Sequence, residues 1–170
     1  MHIFTMKVID IKELKIIAQQ KKNSNIEFCA KLKKKKPSNL DSIAKEVHDI
    51  VFSKIDCLDC ANCCKNISPI IKDSDIVRIS KHLKTKPASF TEKYLRLDGD
   101  GDYVYKEPPC PFLLPDNYCQ IYEVRPNACK EYPHTDRRRF YQLLDLTLKN
   151  SFVCPAVYYF FELLKKEKNI

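Results

Sequence analysis

CLDCANCCK, residues 57–65, places four of the chain's nine cysteines within eight positions. Three explanations compete for thiols at that density. Disulfides belong to oxidising compartments, and the N-terminal stretch MHIFTMKVIDIKELKII lacks the basic, then apolar, then small-residue plan of an export signal. An odd total would also leave one thiol over. Inert buried thiols would scatter over the apolar faces of regular elements. Metal ligation predicts tight clusters beside turns and prolines, and that is the pattern here. Cys57, Cys60 and Cys63 repeat a knuckle spacing that lets neighbouring thiolates reach one ion or cluster.

A helix advances about 100° per residue, so a helical reading of 57–64 puts Cys57, Cys60 and Cys64 within about 60° of arc. Cys63 then lies outside that arc, about 100° from Cys64. The expectation is three thiols on one face and the fourth turned aside toward a second site. The remaining cysteines look like counterparts. Cys110 and Cys154 each precede a proline, and Cys119 and Cys129 bound CQIYEVRPNAC. Cys29 stands apart in NIEFCAKL and reads as a plain buried thiol. The other eight suffice for two tetrathiolate zinc sites, for two four-iron clusters, or for one cluster with thiols to spare. Spacing does not choose among these.

The rest of the chain reads as mainly α, an α+β chain in which a compact helical domain carries a small antiparallel hairpin region around the cysteines. Asp10 and Glu13 resemble a capping box before one helix, and a second helical pattern covers about 25–35. Pro37-Ser38-Asn39 breaks it, with Ser38 free to cap a helix through Leu40, Ala44, Val47, Val51 and Ile55. Asp73 or Ser74 can cap DIVRISKHL, and Pro87 opens ASFTEKYL. Asp98–Asp102 imitates a calcium loop, but Tyr103 stands where the turn glycine belongs and Pro109 where the glutamate belongs. A hairpin turn into Tyr103–Tyr105 fits better. Phe112–Leu114 and Tyr118–Ile121 suggest a second hairpin, and 143–148 and 157–164 read as helices. Residues 1–56 are expected to form a helical segment packed on a cysteine-cluster domain, 57–170, in one compact whole.

The net charge of +8 comes largely from Lys33–Lys36 and the tail lysines. Neither run is interleaved with aromatics that could stack bases, and Arg137-Arg138-Arg139 is the one compact basic run besides. A solvated surface is expected rather than a nucleic-acid partner. The longest apolar patch, near 156–161, falls far short of the roughly 20 residues that span a bilayer. A cytoplasmic protein is expected. With two glycines, Gly99 and Gly101, no phosphate loop can be written. His2, His48, His82 and His134 are dispersed, and His134 alone lies near cysteines in sequence.

CxxCxxCC, then CPFL, then CQIYEVRPNACKEYP resembles the YkgJ-type or CxxCxxCC cysteine-cluster family, whose members are expected to chelate zinc or iron. The resemblance covers about Cys57 to Cys154. It implies metal ligation by Cys57, Cys60, Cys63, Cys64, Cys110, Cys119 and Cys129, with Cys154 matching a more variable position. The cofactor it implies is zinc or an iron–sulfur cluster, a four-iron one included. The Ile121-Tyr122-x-x-Arg125-Pro126 element also belongs to the family. Tyr122 and Arg125 are therefore candidates to support the centre from behind its ligands, though charge pairing and packing explain them as well. A related cluster occurs in the larger flagellin lysine methylases, which makes a protein-modifying enzyme the alternative to a metal-binding module. The partner is an unidentified protein or small molecule.

Overall fold

The computed structural model describes residues 6–170. In chain order its helices are α1 (Ile11–Lys35), α2 (Leu40–Phe52), α3 (Cys57–Cys60), α4 (Asn62–Asn66), α5 (Asp73–His82) and α6 (Pro87–Tyr94). Strands β1 (Leu95–Leu97) and β2 (Tyr103–Tyr105) follow, then α7 (Asn127–Glu131), α8 (Leu144–Asn150) and α9 (Pro155–Leu164). The fold is mainly α with a small β hairpin. The chain divides into two compact units, 1–60 with 133–170, and 61–132.

The first unit is helical. Asp10 accepts a hydrogen bond from the Lys12 amide at 2.8 Å and starts α1. Lys33, Lys34 and Lys35 crowd its last turn, where the helix dipole favours cations. Lys36 then turns left-handed and its N–H closes on the Leu32 carbonyl at 2.8 Å. The two helical patterns expected before residue 36 are one helix. The polar run 19–24 contains no glycine or proline, so nothing breaks the hydrogen-bond ladder there. Leu14, Ala18, Asn25, Cys29 and Leu32 face inward along it. On α2, capped at Asn39 rather than Ser38, Leu40, Ala44, Val47 and Val51 do the same.

Residues 133–170 return to complete this core. The Asp41 carboxylate takes the Arg139 and Phe140 amides at 2.7 and 2.9 Å, fixing the returning chain at the start of α2. Phe140 and Phe160 then meet edge to face at 5.4 Å, both fully buried, beside Phe161, Val157 and Leu164 of α9. Pro155 occupies the first turn of α9, where its missing N–H costs nothing. Cys29 is buried in the same core and its thiol points to the Leu144 carbonyl.

The second unit is built on the hairpin. Leu95, Arg96 and Leu97 pair antiparallel with Tyr105, Val104 and Tyr103. Asp98 shapes the turn by accepting the Asp100 and Asp102 amides, both at 3.0 Å, and Gly101 supplies the positive φ of 84° that the turn needs. Ile71, Ile76, Ile79, Phe90, Leu95, Tyr105, Phe112 and Ile121 form its core. The expected second hairpin is a minimal one: Leu114 and Gln120 amides bond to Tyr118 and Phe112 carbonyls across a turn at Asn117. Among the described residues no helix is long and apolar enough to cross a membrane.

Truncating Phe160 to alanine should lower unfolding free energy by about 3–5 kcal/mol, because a fully buried ring leaves a cavity in the first unit's core. Denaturant titration checks this; a loss below about 1 kcal/mol would mean that Phe160 does not anchor that core.

Candidate metal centre

Residues 57–64 are not one helix. α3 ends at Cys60, Ala61 takes a left-handed φ of 49°, and α4 begins at Asn62. The expected three-thiol face therefore has no continuous helix to lie on. The break coincides with the boundary between the units, so Cys57 and Cys60 belong to the first and Cys63 and Cys64 to the second. Cys63 is not turned away from Cys64 either: their sulfurs stand 3.9 Å apart.

In the second unit Cys64, Cys110, Cys119 and Cys129 feel one another's charge. Each is placed by backbone bonding. The Cys110 amide donates to the Cys64 carbonyl at 2.8 Å, tying the CPFL turn to α4. Cys119 bridges to Leu113 across the minimal hairpin, so Cys110 and Cys119 sit at the two ends of one short loop. Both pack against the apolar core. Cys129 rides on α7.

What positions α7 is an ion pair whose carboxylate is buried. Asp75, fully buried on α5, binds the Arg78 guanidinium and accepts the Lys72 and Asn127 amides at 3.1 and 3.2 Å. Arg78 also donates to the Arg125 carbonyl at 3.0 Å. One carboxylate and one guanidinium thus hold both ends of the Arg125–Asn127 strap that presents Cys129. Asp75 caps its own helix from the third position, where Asp73 or Ser74 was expected to cap.

Burial and neighbouring sulfur set the thiol chemistry. Desolvation pushes Cys110 up to about 11 and Cys129 up to about 12, with Cys64, Cys110 and Cys119 adding to the rise at Cys129. Cys119 is raised for the same first reason. Cys64 is lowered, chiefly by its hydrogen bond with Cys63. Arg125 works in the opposite sense to burial at both Cys119 and Cys129.

The first unit holds a smaller set. Cys154 lies just before α9, with its amide on the Asn150 carbonyl at 2.8 Å. Its thiol is pushed up to about 12 by burial first and then by Cys57 and Cys60. Proline does not end structure beside Cys154; Pro155 begins α9.

Arg125 lies over the Tyr122 ring at 3.8 Å and donates to the Tyr122 carbonyl at 2.8 Å. Tyr122 is half exposed, so this stack faces outward. His48 bonds to the buried Thr135 hydroxyl at 2.7 Å and stacks on Phe52, as a structural histidine does. His82 lies in the last turn of α5, His134 takes a positive φ of 66°, and His2 lies outside the described residues.

Three residues were not singled out from the sequence: Asp75, Arg78 and Tyr105. Asp75 could be suspected only as one of two acids in DSD. Tyr105 reads as an ordinary alternating strand residue, yet it is fully buried, and its hydroxyl has no hydrogen-bond partner among the described residues. Its charge neighbours are Cys110, Cys129, Cys119 and Asp75.

The donor chemistry of the second unit suits zinc or iron: four thiols from four chain segments, partly buried, with a cation nearby and an orphaned donor beneath. The 3.9 Å separation of the Cys63 and Cys64 sulfurs is close to the edge of a tetrahedron with metal–sulfur bonds of about 2.3 Å. Among the described residues, no three His, Cys, Asp or Glu side chains stand close enough together to hold an ion as they are placed.

The family model CxxCxxCC, described as "putative zinc- or iron-chelating domain", matches residues 56–151. The match spans more than half of the chain, and the protein belongs to that family. No curated protein and no solved structure is similar enough to match.

Replacing Asp75 with alanine should cost about 1–3 kcal/mol, since a partly exposed Arg78 and the Lys72 and Asn127 amides lose their acceptor. Amide exchange at 127–131 should quicken, and Cys129 in metal-free protein should alkylate faster while Cys29 stays protected. Equal exchange in both proteins would remove Asp75 from the positioning of α7.

Proposed function

We propose that the protein is a thiolate metal-binding module whose principal centre is held by Cys64, Cys110, Cys119 and Cys129, as zinc or as an iron–sulfur cluster. The single observation that carries this reading is that those four thiols, from four separate segments of one unit, are one another's charge neighbours, each on backbone held by its own hydrogen bonds. The family's zinc- or iron-chelating description supports it.

A bound metal supplies what the buried thiols lack, a cation that makes the thiolate form favourable. The residues around it hold and orient. Asp75 and Arg78 fix the strap that carries Cys129. Arg125 lends positive charge to Cys119 and Cys129 from the rim, with Tyr122 holding its guanidinium in place. Cys57, Cys60 and Cys154 form a second donor set within the first unit, and Cys63 stands beside Cys64 as the thiol able to replace it. The binding has a structural or metal-handling role, carried out in a cytoplasmic setting that keeps these thiols reduced.

Metal analysis and a visible spectrum of anaerobically purified protein test the reading. Iron with acid-labile sulfide and broad visible absorption identifies a cluster, and a colourless zinc protein identifies ion sites. Cys129→Ser should strip metal and lower the melting temperature, because metal binding here is folding energy. Cys154→Ser should leave the Cys129-dependent metal bound. Full metal retention in Cys129→Ser would overturn the assignment.

A further inference from the structure

Tyr105 is the one large polar side chain of the second unit's core whose hydroxyl is fully buried and has no hydrogen-bond partner among the described residues. Leaving such a group unsatisfied costs about 1–3 kcal/mol. A phenylalanine would fill the same space without that cost. The ring is fixed by its edge contact with Phe112 at 5.7 Å and by its strand, where it pairs with Leu95. Phe112 lies two residues beyond Cys110, and its carbonyl holds the Gln120 amide next to Cys119. Cys110 and Cys119 pack against the same core that contains Tyr105. The orphaned hydroxyl therefore belongs to the same core that two of the thiols pack against, out of reach of solvent.

We propose that Tyr105 is a positioning residue for the metal centre, its hydroxyl donating a hydrogen bond to a cysteine sulfur of the Cys110, Cys119 and Cys129 group once those sulfurs are metal-bound thiolates. The inference rests on the reading of Cys64, Cys110, Cys119 and Cys129 as ligands. A thiolate is a far better acceptor than a thiol, so the hydroxyl is left wanting in the metal-free protein and satisfied in the loaded one. A hydrogen bond to sulfur drains charge from a crowded set of anions and fixes the direction of the ligand.

Tyr105→Phe in the full chain removes that single O–H. Cobalt(II) is the probe, titrated anaerobically into reduced, metal-free protein and read by its thiolate-to-metal absorption. The expected result is affinity about tenfold weaker than wild type, with the charge-transfer band moved to lower energy. Metal-free Tyr105→Phe should melt at or above the wild-type temperature, because the variant no longer buries an unpaired hydroxyl. A merely structural tyrosine would give a lower melting temperature and an unmoved band. Unchanged affinity and band position overturn the inference and leave the ligand assignment standing, provided that Cys129→Ser abolishes cobalt binding. If Cys129→Ser binds cobalt as the wild type does, the ligand assignment fails and this inference with it.

Discussion

A buried thiolate is an anion in a poor solvent, and several in one neighbourhood repel one another. That constraint governs the second unit. Burial alone pushes Cys110 and Cys129 well above the ordinary thiol range, and their sulfur neighbours push further in the same direction. A fold selected only for packing has no reason to make four such groups from four segments one another's charge neighbours. It could fill those positions with alanine or valine and avoid the repulsion. The crowding is intelligible once a cation is admitted as a member of the core.

The supporting structure answers to the same constraint. Asp75 and Arg78 use a partly buried ion pair to hold a five-residue helix. Such a pair gives little net stability against an apolar replacement, and its use here is geometric. It fixes the Arg125 carbonyl and the Asn127 amide at once. Cys129 is thereby placed without α7 having an apolar face of its own; no residue of α7 is buried. Cys110 and Cys119 pack against the hairpin's core, which includes Tyr105 and Phe112.

Much of this was legible in the sequence, and the exceptions have physical causes. The helices, the Asp98–Asp102 turn and the buried Cys29 followed from periodicity, capping and turn chemistry, which are local. The family followed from the order of cysteines, also local. The sharing of thiols did not follow. The helical-face argument assumed one unbroken ladder through residues 57–64, and a single left-handed alanine removes it. Nothing in ANCC announces that conformation, since alanine is a strong helix former. The long-range pairings escaped for a different reason. Asp41 to Phe140 and Asp75 to Asn127 join residues far apart in the chain, and an acidic residue near a helix start always has a nearer, ordinary use as a cap. Tyr105 gave no signal because what distinguishes it is a missing partner, and only coordinates reveal that.

Ala61 also changes what the motif means. Adjacent cysteines on one helix diverge by about 100° and serve different directions. Cys63 and Cys64 both lie on α4, and even with that divergence their sulfurs stand 3.9 Å apart. The four-cysteine motif then reads as two pairs, Cys57 with Cys60 and Cys63 with Cys64, on either side of the left-handed Ala61. The first pair has Cys154 as its charge neighbour, and Cys64 has Cys110, Cys119 and Cys129. A motif that looks like one dense knuckle in the sequence thus contributes to two neighbourhoods.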